Sequence, residues 1–203
     1  MPHRIFFLAV VSALLYATES SHGRRKGGKT DIKEFVNTND IIWTYNTTAH
    51  KRLPCLMDFK KEVTEKDIQF ERHHFTRQKR WAAKHLIGKF GIWSPEDKNK
   101  SKPYDYMEVL TFSQRKWVDA EILEYQHEDN TCGVFTVMSG NGIPPTFSHE
   151  LRVKNSSIQT GPKEECKKQF LKVVGEGKKI KGAYDHRCHK ALKYYNENFL
   201  HLP

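Results

Sequence analysis

The chain contains none of the short motifs that announce catalysis. It has no glycine-rich phosphate loop, no nucleophile elbow and no paired-histidine metalloprotease helix. Carboxylates are plentiful, but no spacing among them nominates a general acid and its base, so an enzyme is not expected. Long apolar runs are missing too. The longest, Ile5 to Tyr16, is about 12 residues, against the ~20 that a membrane helix needs, and no second candidate follows it. There is no internal repeat or low-complexity segment. Acid is in deficit: 34 Lys and Arg face 24 Asp and Glu, a formal net charge of +10. That balance favours acidic partners such as heparin-like glycans, anionic lipids or an anionic ligand, but it bears on solubility more than on fold.

What is present begins with an export signal. His3 and Arg4 precede the apolar run, and small and polar residues follow from Ala17 to Ser21. This is the order of a secretory signal peptide, expected over residues 1–20 with cleavage between about 17 and 22. Residues 21–30, with Arg24-Arg25-Lys26-Gly27-Gly28-Lys29, read as a basic flexible leader, and 31–203 as one domain. All four cysteines, Cys55, Cys132, Cys166 and Cys188, fall in that domain. An even count in an exported chain implies two disulfides; three pairings are open. The sequons at Asn46, Asn99 and Asn155 agree with export, which also makes nucleic acid an unsuitable partner.

Asp31 to Asn37 reads as a short helix, capped by Asp31, with Ile32, Phe35 and Val36 as its apolar stripe. Strand patterns follow at Ile41–Tyr45, Cys55–Phe59, Ile68–Arg72, Trp81–Trp93, Tyr104–Phe112, Trp117–Tyr125, Cys132–Met138 and Leu151–Val153. Turn chemistry such as Asp129-Asn130 and Pro144-Pro145 separates them. A helix is expected over Pro162–Val174, with Pro162 in its first turn and Gly175 as its stop. The fold class is therefore all-β, an antiparallel barrel or sandwich with flanking helices. A closed eight-stranded sheet leaves an interior just large enough for one small ligand. His73-His74 and His186-Arg187-Cys188-His189 look metal-like at a glance. Adjacent histidines in a strand point to opposite faces, however, and Cys188 suits a disulfide, so neither a metal nor a cofactor is expected.

Four segments together resemble the salivary lipocalins of ticks, often called histamine-binding proteins. They are Ile42-Trp43-Thr44-Tyr45-Asn46-Thr47-Thr48, Asp129-Asn130-Thr131-Cys132-Gly133-Val134-Phe135, Glu150 to Ser157, and the helix around Cys166. The resemblance implies an eight-stranded barrel flanked by helices, with Cys55–Cys188 and Cys132–Cys166 as the disulfides. It also implies secretion in saliva to sequester host mediators such as histamine, serotonin or leukotrienes. Amine-binding members of that family look like Cys-Asp-Val/Ile/Leu, a gap, Glu-Leu-Trp/Tyr, a second gap, then Cys. Here the framework is Cys132-Gly133-Val134, Glu150-Leu151-Arg152 and Cys166. Gly133 replaces the acid, and Arg152 replaces the aromatic. By the same resemblance Glu121 matches an acidic ligand position, and Tyr45, Tyr104 and Tyr106 match aromatic ones.

A protonated amine inside a barrel needs a carboxylate to offset its lost hydration, and aromatic faces add cation–π attraction. Losing the Asp removes one anion. Arg152, two residues from Glu150, shares its strand face and opposes a cationic ligand, whereas it suits a ligand carboxylate. The expectation is a monomeric scavenger of a small host mediator, first a biogenic amine. The alternatives are an eicosanoid, or a basic surface that engages a host protein or glycan. If Glu150, Arg152 and Tyr45 face inward, Asn155 and Asn46 face outward, as glycans require. Leu151 and Val153 then also face outward and need a cover, for which the 162–174 helix is available.

Overall fold

The computed structural model describes residues 30–93, 103–140 and 144–198. The expected signal peptide, residues 21–29 of the leader and the sequon at Asn99 lie outside the described residues. The eight expected strands are all present. They are β1 (Ile42–Thr47), β2 (Met57–Val63), β3 (Asp67–Phe75), β4 (Trp81–Gly91), β5 (Tyr106–Thr111), β6 (Trp117–Gln126), β7 (Cys132–Ser139) and β8 (Thr146–Lys154). Each runs antiparallel to its neighbour in sequence, and β1 returns to pair with β8. The other edge of β1 is shared. Ile42 and Trp43 pair with β2 and close the barrel, while Asn46 and Thr47 pair with a short added strand, β9 (Lys181–Gly182).

Alternation gives every strand two faces, and most of both are buried. Ile68, Phe70, Leu86, Met107, Val109 and Phe135 belong to one apolar cluster, inside the barrel. Trp43, Met57, Phe59, Val134, Leu151 and Val153 belong to a second, on the outer wall. Leu151 and Val153 thus face outward, and the cover they need is α2 (Glu164–Val174), whose Cys166, Phe170 and Val174 join that outer cluster. Gly175 ends the helix at φ 69°, a conformation that costs glycine little. Lys163 is the N-cap, so Pro162 precedes the helix instead of opening its first turn. A further helix, α3 (His186–Asn198), is not visible in the sequence pattern, because His186, Arg187, His189 and Lys190 interrupt any apolar stripe.

Both disulfides pin these outer helices to the barrel. Cys132, at the start of β7, bonds Cys166 in α2, and Cys55, just before β2, bonds Cys188 in α3. One end of the barrel is plugged from within by α1 (Ile32–Val36). Asp31 caps it by accepting from the Glu34 amide at 3.0 Å, and Phe35 packs edge-on against Phe135 with centroids 5.3 Å apart. Among the described residues no helix is long and apolar enough to cross a membrane.

Candidate ligand-binding site

The barrel interior is not apolar throughout. Alternation turns Asp58 inward between outward Met57 and Phe59, and sets Arg72 in line with Ile68 and Phe70. The same rule puts Asp119 and Glu121 inside along β6, and Glu150 and Arg152 inside along β8. In a ring of eight strands β2 and β6 stand on opposite walls, so these side chains converge across the lumen.

Arg152 is nearly saturated by acid. Its Nη2 donates to Glu121 Oε1 at 2.9 Å and lies 2.7 Å from Glu150 Oε2, and its Nε donates to that same Glu150 oxygen at 2.8 Å. Nη1 donates to the other Glu121 oxygen. The guanidinium also lies 4.3 Å from the Phe135 ring centroid. Arg72 grips Asp58 with two parallel hydrogen bonds of 2.8 Å and reaches Glu121 at 2.7 Å and Asp119 at 3.3 Å. Four carboxylates against two guanidiniums leave the cluster two negative charges in formal excess.

Those charges are unevenly distributed. Glu121 is 0% exposed; burial pushes its carboxyl up, but Arg152 and Arg72 outweigh that and hold it at about 2. Asp119 goes the other way. Burial raises it, and Glu121 and Glu150 add to the rise against the pull of the arginines, so its carboxyl sits at about 7. Its Oδ2 takes the Arg72 bond, while Oδ1 is buried with no hydrogen-bond partner among the described residues.

The cluster divides the lumen. Toward α1 there remains a space of about 20 Å³, bounded by Asp58, Phe70, Met107 and Arg152, room for about one water. Toward the open end lies a cavity of about 190 Å³. Arg72, Asp119 and Glu150 line it together with Leu56, Leu86 and Val137, and Lys51 and Lys84 line it as well. This volume is below the ~300–1,000 Å³ of sites for drug-sized ligands. A barrel that is closed by sequential antiparallel neighbours, plugged at one end and open at the other over an internal cavity, decides the fold. It is a lipocalin fold.

The lipocalin barrel gathers three of the six expected ligand residues, Glu121, Glu150 and Arg152, into one cluster. The tyrosines lie elsewhere. Tyr45 was expected inside, but it stacks on Tyr184 outside, with centroids 6.1 Å apart. The reason is plain alternation: Tyr45 is two residues from Trp43, which packs in the outer cluster, and it follows the inward Thr44. Thr44 donates to Glu150 and Thr47 lines the mouth cavity, so the register shift between Thr44 and Asn46 keeps Asn46 on the outer side beside Tyr45. Tyr106 packs near Trp93 on the face opposite Met107 and Val109, and Tyr104 packs with Phe90 at the α1 end. Asn155 is outside, its Oδ1 accepting from Trp43 Nε1 at 2.9 Å.

Gly133, where the resembling family carries an acid, points at α1. A Cβ there would stand 3.1 Å from Phe35 Cε2 and 3.2 Å from Leu123 Cδ1. Asp58, Arg72 and Asp119 escaped the sequence reading. The available signal was the i, i+2 series Ile68-Phe70-Arg72 and Asp119-Glu121-Leu123, read as one face. Among the described residues no group of three or more His, Cys, Asp or Glu is placed to hold a metal ion.

No family model and no curated protein matches the sequence. Solved structures of similar shape include Japanin from Rhipicephalus appendiculatus bound to cholesterol, at 10% identity and TM-score 0.48, covering 75% of this chain and 97% of that one. H1 crustacyanin from the lobster Homarus americanus has 4% identity and TM-score 0.49, covering 78% and 88%. The cockroach allergen Per a 4 has 13% identity and TM-score 0.43, covering 84% and 83%. The lipocalin assignment stands on the strand pairing itself.

Proposed function

We propose that this lipocalin is a secreted scavenger that holds a small amine-bearing mediator in the mouth cavity, with the ligand's cation on Asp119 and Glu150. The observation that carries the reading is Asp119 Oδ1, a buried acceptor without a partner beside a cavity, in a cluster with carboxylate in excess. A ligand ammonium would supply the missing donor and offset the surplus charge. Arg152 no longer opposes such a ligand, because Glu121 and Glu150 already neutralise it. For the same reason it is not available to anchor an eicosanoid carboxylate, and about 190 Å³ is small for a long acyl chain. The resemblance to tick salivary lipocalins supports the wider role, which is export in saliva and sequestration of host inflammatory amines. Binding, not catalysis, is the activity.

Titration calorimetry of the disulfide-intact protein with histamine, serotonin, leukotriene B4 and arachidonate tests this. An amine is expected to bind tightly, with Asp119→Asn weakening it at least tenfold and the two lipids binding no better than ~10 μM. If no amine binds better than ~10 μM, the scavenger reading fails. Tight lipid binding that Asp119→Asn leaves intact points to the eicosanoid alternative instead.

A further inference from the structure

The open end of the barrel carries a second feature, continuous with the rim of the cavity. Two surface grooves, of about 830 and about 910 Å³, flank the mouth. They share His50, Lys51 and Lys181, so they run on from one another over the rim. The first adds Arg52 and Arg77, and the second adds Lys178 and Lys179. Among the described residues neither groove is lined by a single Asp or Glu. None of these six Lys and Arg side chains forms a salt bridge with a described carboxylate. Arg52 instead donates to the Gly182 carbonyl, and Lys181 to the carbonyls of Ala49 and His50, which hold the 48–52 loop and the β9 segment together. Several basic residues elsewhere on the surface do have acidic partners: Lys33 with Glu65, Lys61 with Glu71, Lys163 with Asp129, and Lys167 with Glu164. The same field reaches His74 at the groove wall, where burial and then Lys84 and Lys51 depress its protonation.

We propose that this carboxylate-free track over the barrel mouth binds a sulfated glycosaminoglycan chain. The occupant follows from the shape and chemistry of the track. Cations spaced over two joined grooves, with no anion between them, suit a linear polyanion that carries charge at every residue, more than they suit one small anion. Single-stranded nucleic acid is the poorer fit. Such sites alternate cations with a row of stacking rings, and these grooves offer only Phe75 and Phe147 besides the histidines. Export, the expectation from the sequence, places the track among extracellular polyanions, and sulfated glycans are linear polyanions of that kind. The track adjoins the amine site, with Lys51 common to both, but neither site needs the other's ligand.

The test is binding of a defined, fully sulfated heparin oligosaccharide to the disulfide-intact protein near ~0.15 M NaCl. Arg77→Gln/Lys178→Gln/Lys179→Gln is compared with a control that removes the same number of charges, Lys60→Gln/Lys66→Gln/Lys89→Gln, near the α1 end. The mouth variant is expected to lose about tenfold or more in affinity and to flatten the log K against log salt slope by about 2–3, while the control changes less than about twofold. Near-wild-type unfolding midpoints in both variants make the comparison one of surface charge alone. Equal losses in the two variants mean diffuse attraction and overturn the site. So does tighter binding of a DNA oligonucleotide or of phosphatidylserine vesicles than of heparin, or no heparin binding in the wild type.

Discussion

Arg72 Nη2 lies 2.7 Å from Glu121 Oε1, although β3 and β6 belong to facing walls of the barrel. With the Arg152–Glu121 pair beside it, this contact turns the middle of the lumen into an ionic cross-tie.

Glu121→Gln should destabilise the fold severely. The change leaves two buried guanidiniums short of their shared anion, and breaking a buried pair by removing one partner costs about 3–5 kcal/mol. Urea unfolding measures this directly. A loss under about 1 kcal/mol would mean that the cluster is solvated and the cross-tie is not structural.

The pH dependence should be two-sided. Glu121, held at about 2 in the fold against 4.5 unperturbed, adds stability that is fully present above pH 4.5 and is lost as pH falls toward 2. Asp119, raised from 3.8 to about 7, behaves oppositely: its contribution is full below 3.8 and lost as pH rises through 7. Stability from this pair should therefore peak near pH 4–5 and decline by a few kcal/mol toward pH 8. Asp119→Asn should flatten the alkaline limb of the urea midpoint profile. An unchanged limb in that variant would count against the placement of the charge.

Gly133→Asp, which restores the acid of the resembling family, should weaken the protein, not improve its pocket. The new Cβ meets Phe35 at 3.1 Å, so the side chain must displace α1, at roughly 1–3 kcal/mol. In a double-mutant cycle, Phe35→Ala should relieve part of that cost. Additive effects of the two changes would show that α1 does not sense residue 133.

Amine capture should show an inverted salt dependence in its rate. Lys51 and Lys84 line the approach to Asp119, so an incoming cation meets repulsion that salt screens. Stopped-flow association rates for serotonin should rise with NaCl while affinity falls. A rate that falls with salt would place the entrance elsewhere.

The strands, the capped α1 and α2 were legible because each follows a local rule: alternation, an Asp cap, a stripe stopped by Gly175. The outward Leu151 and Val153 were legible too, because a sequon asparagine at 155 is expected to face outward and shares their parity. Tyr45 was not. Its side follows by alternation from Trp43, but the outward sequon at Asn46 suggested the reverse, and the irregularity after Thr44 that lets both face outward leaves no mark in the composition of β1. Asp58 and Arg72 were hidden for another reason. In a sheet whose two faces are both buried, a charge within an alternating strand is ordinarily read as the solvent side. Here the solvent side is covered by α2 and α3, and the charges go to the lumen. The disulfide pairing came from family resemblance alone, since four cysteines leave three choices. The α3 helix has too polar a sequence to declare itself.

The division of the lumen also separates two inheritances. Residues on the α1 side, such as Phe35, Met107 and Gly133, settle whether the chain folds, whereas Leu53 and Ser148 on the mouth side line the open cavity and its rim. Substitutions in the second group can accumulate without disturbing the first. The barrel can thus exchange one small ligand for another while its foundation stays the same.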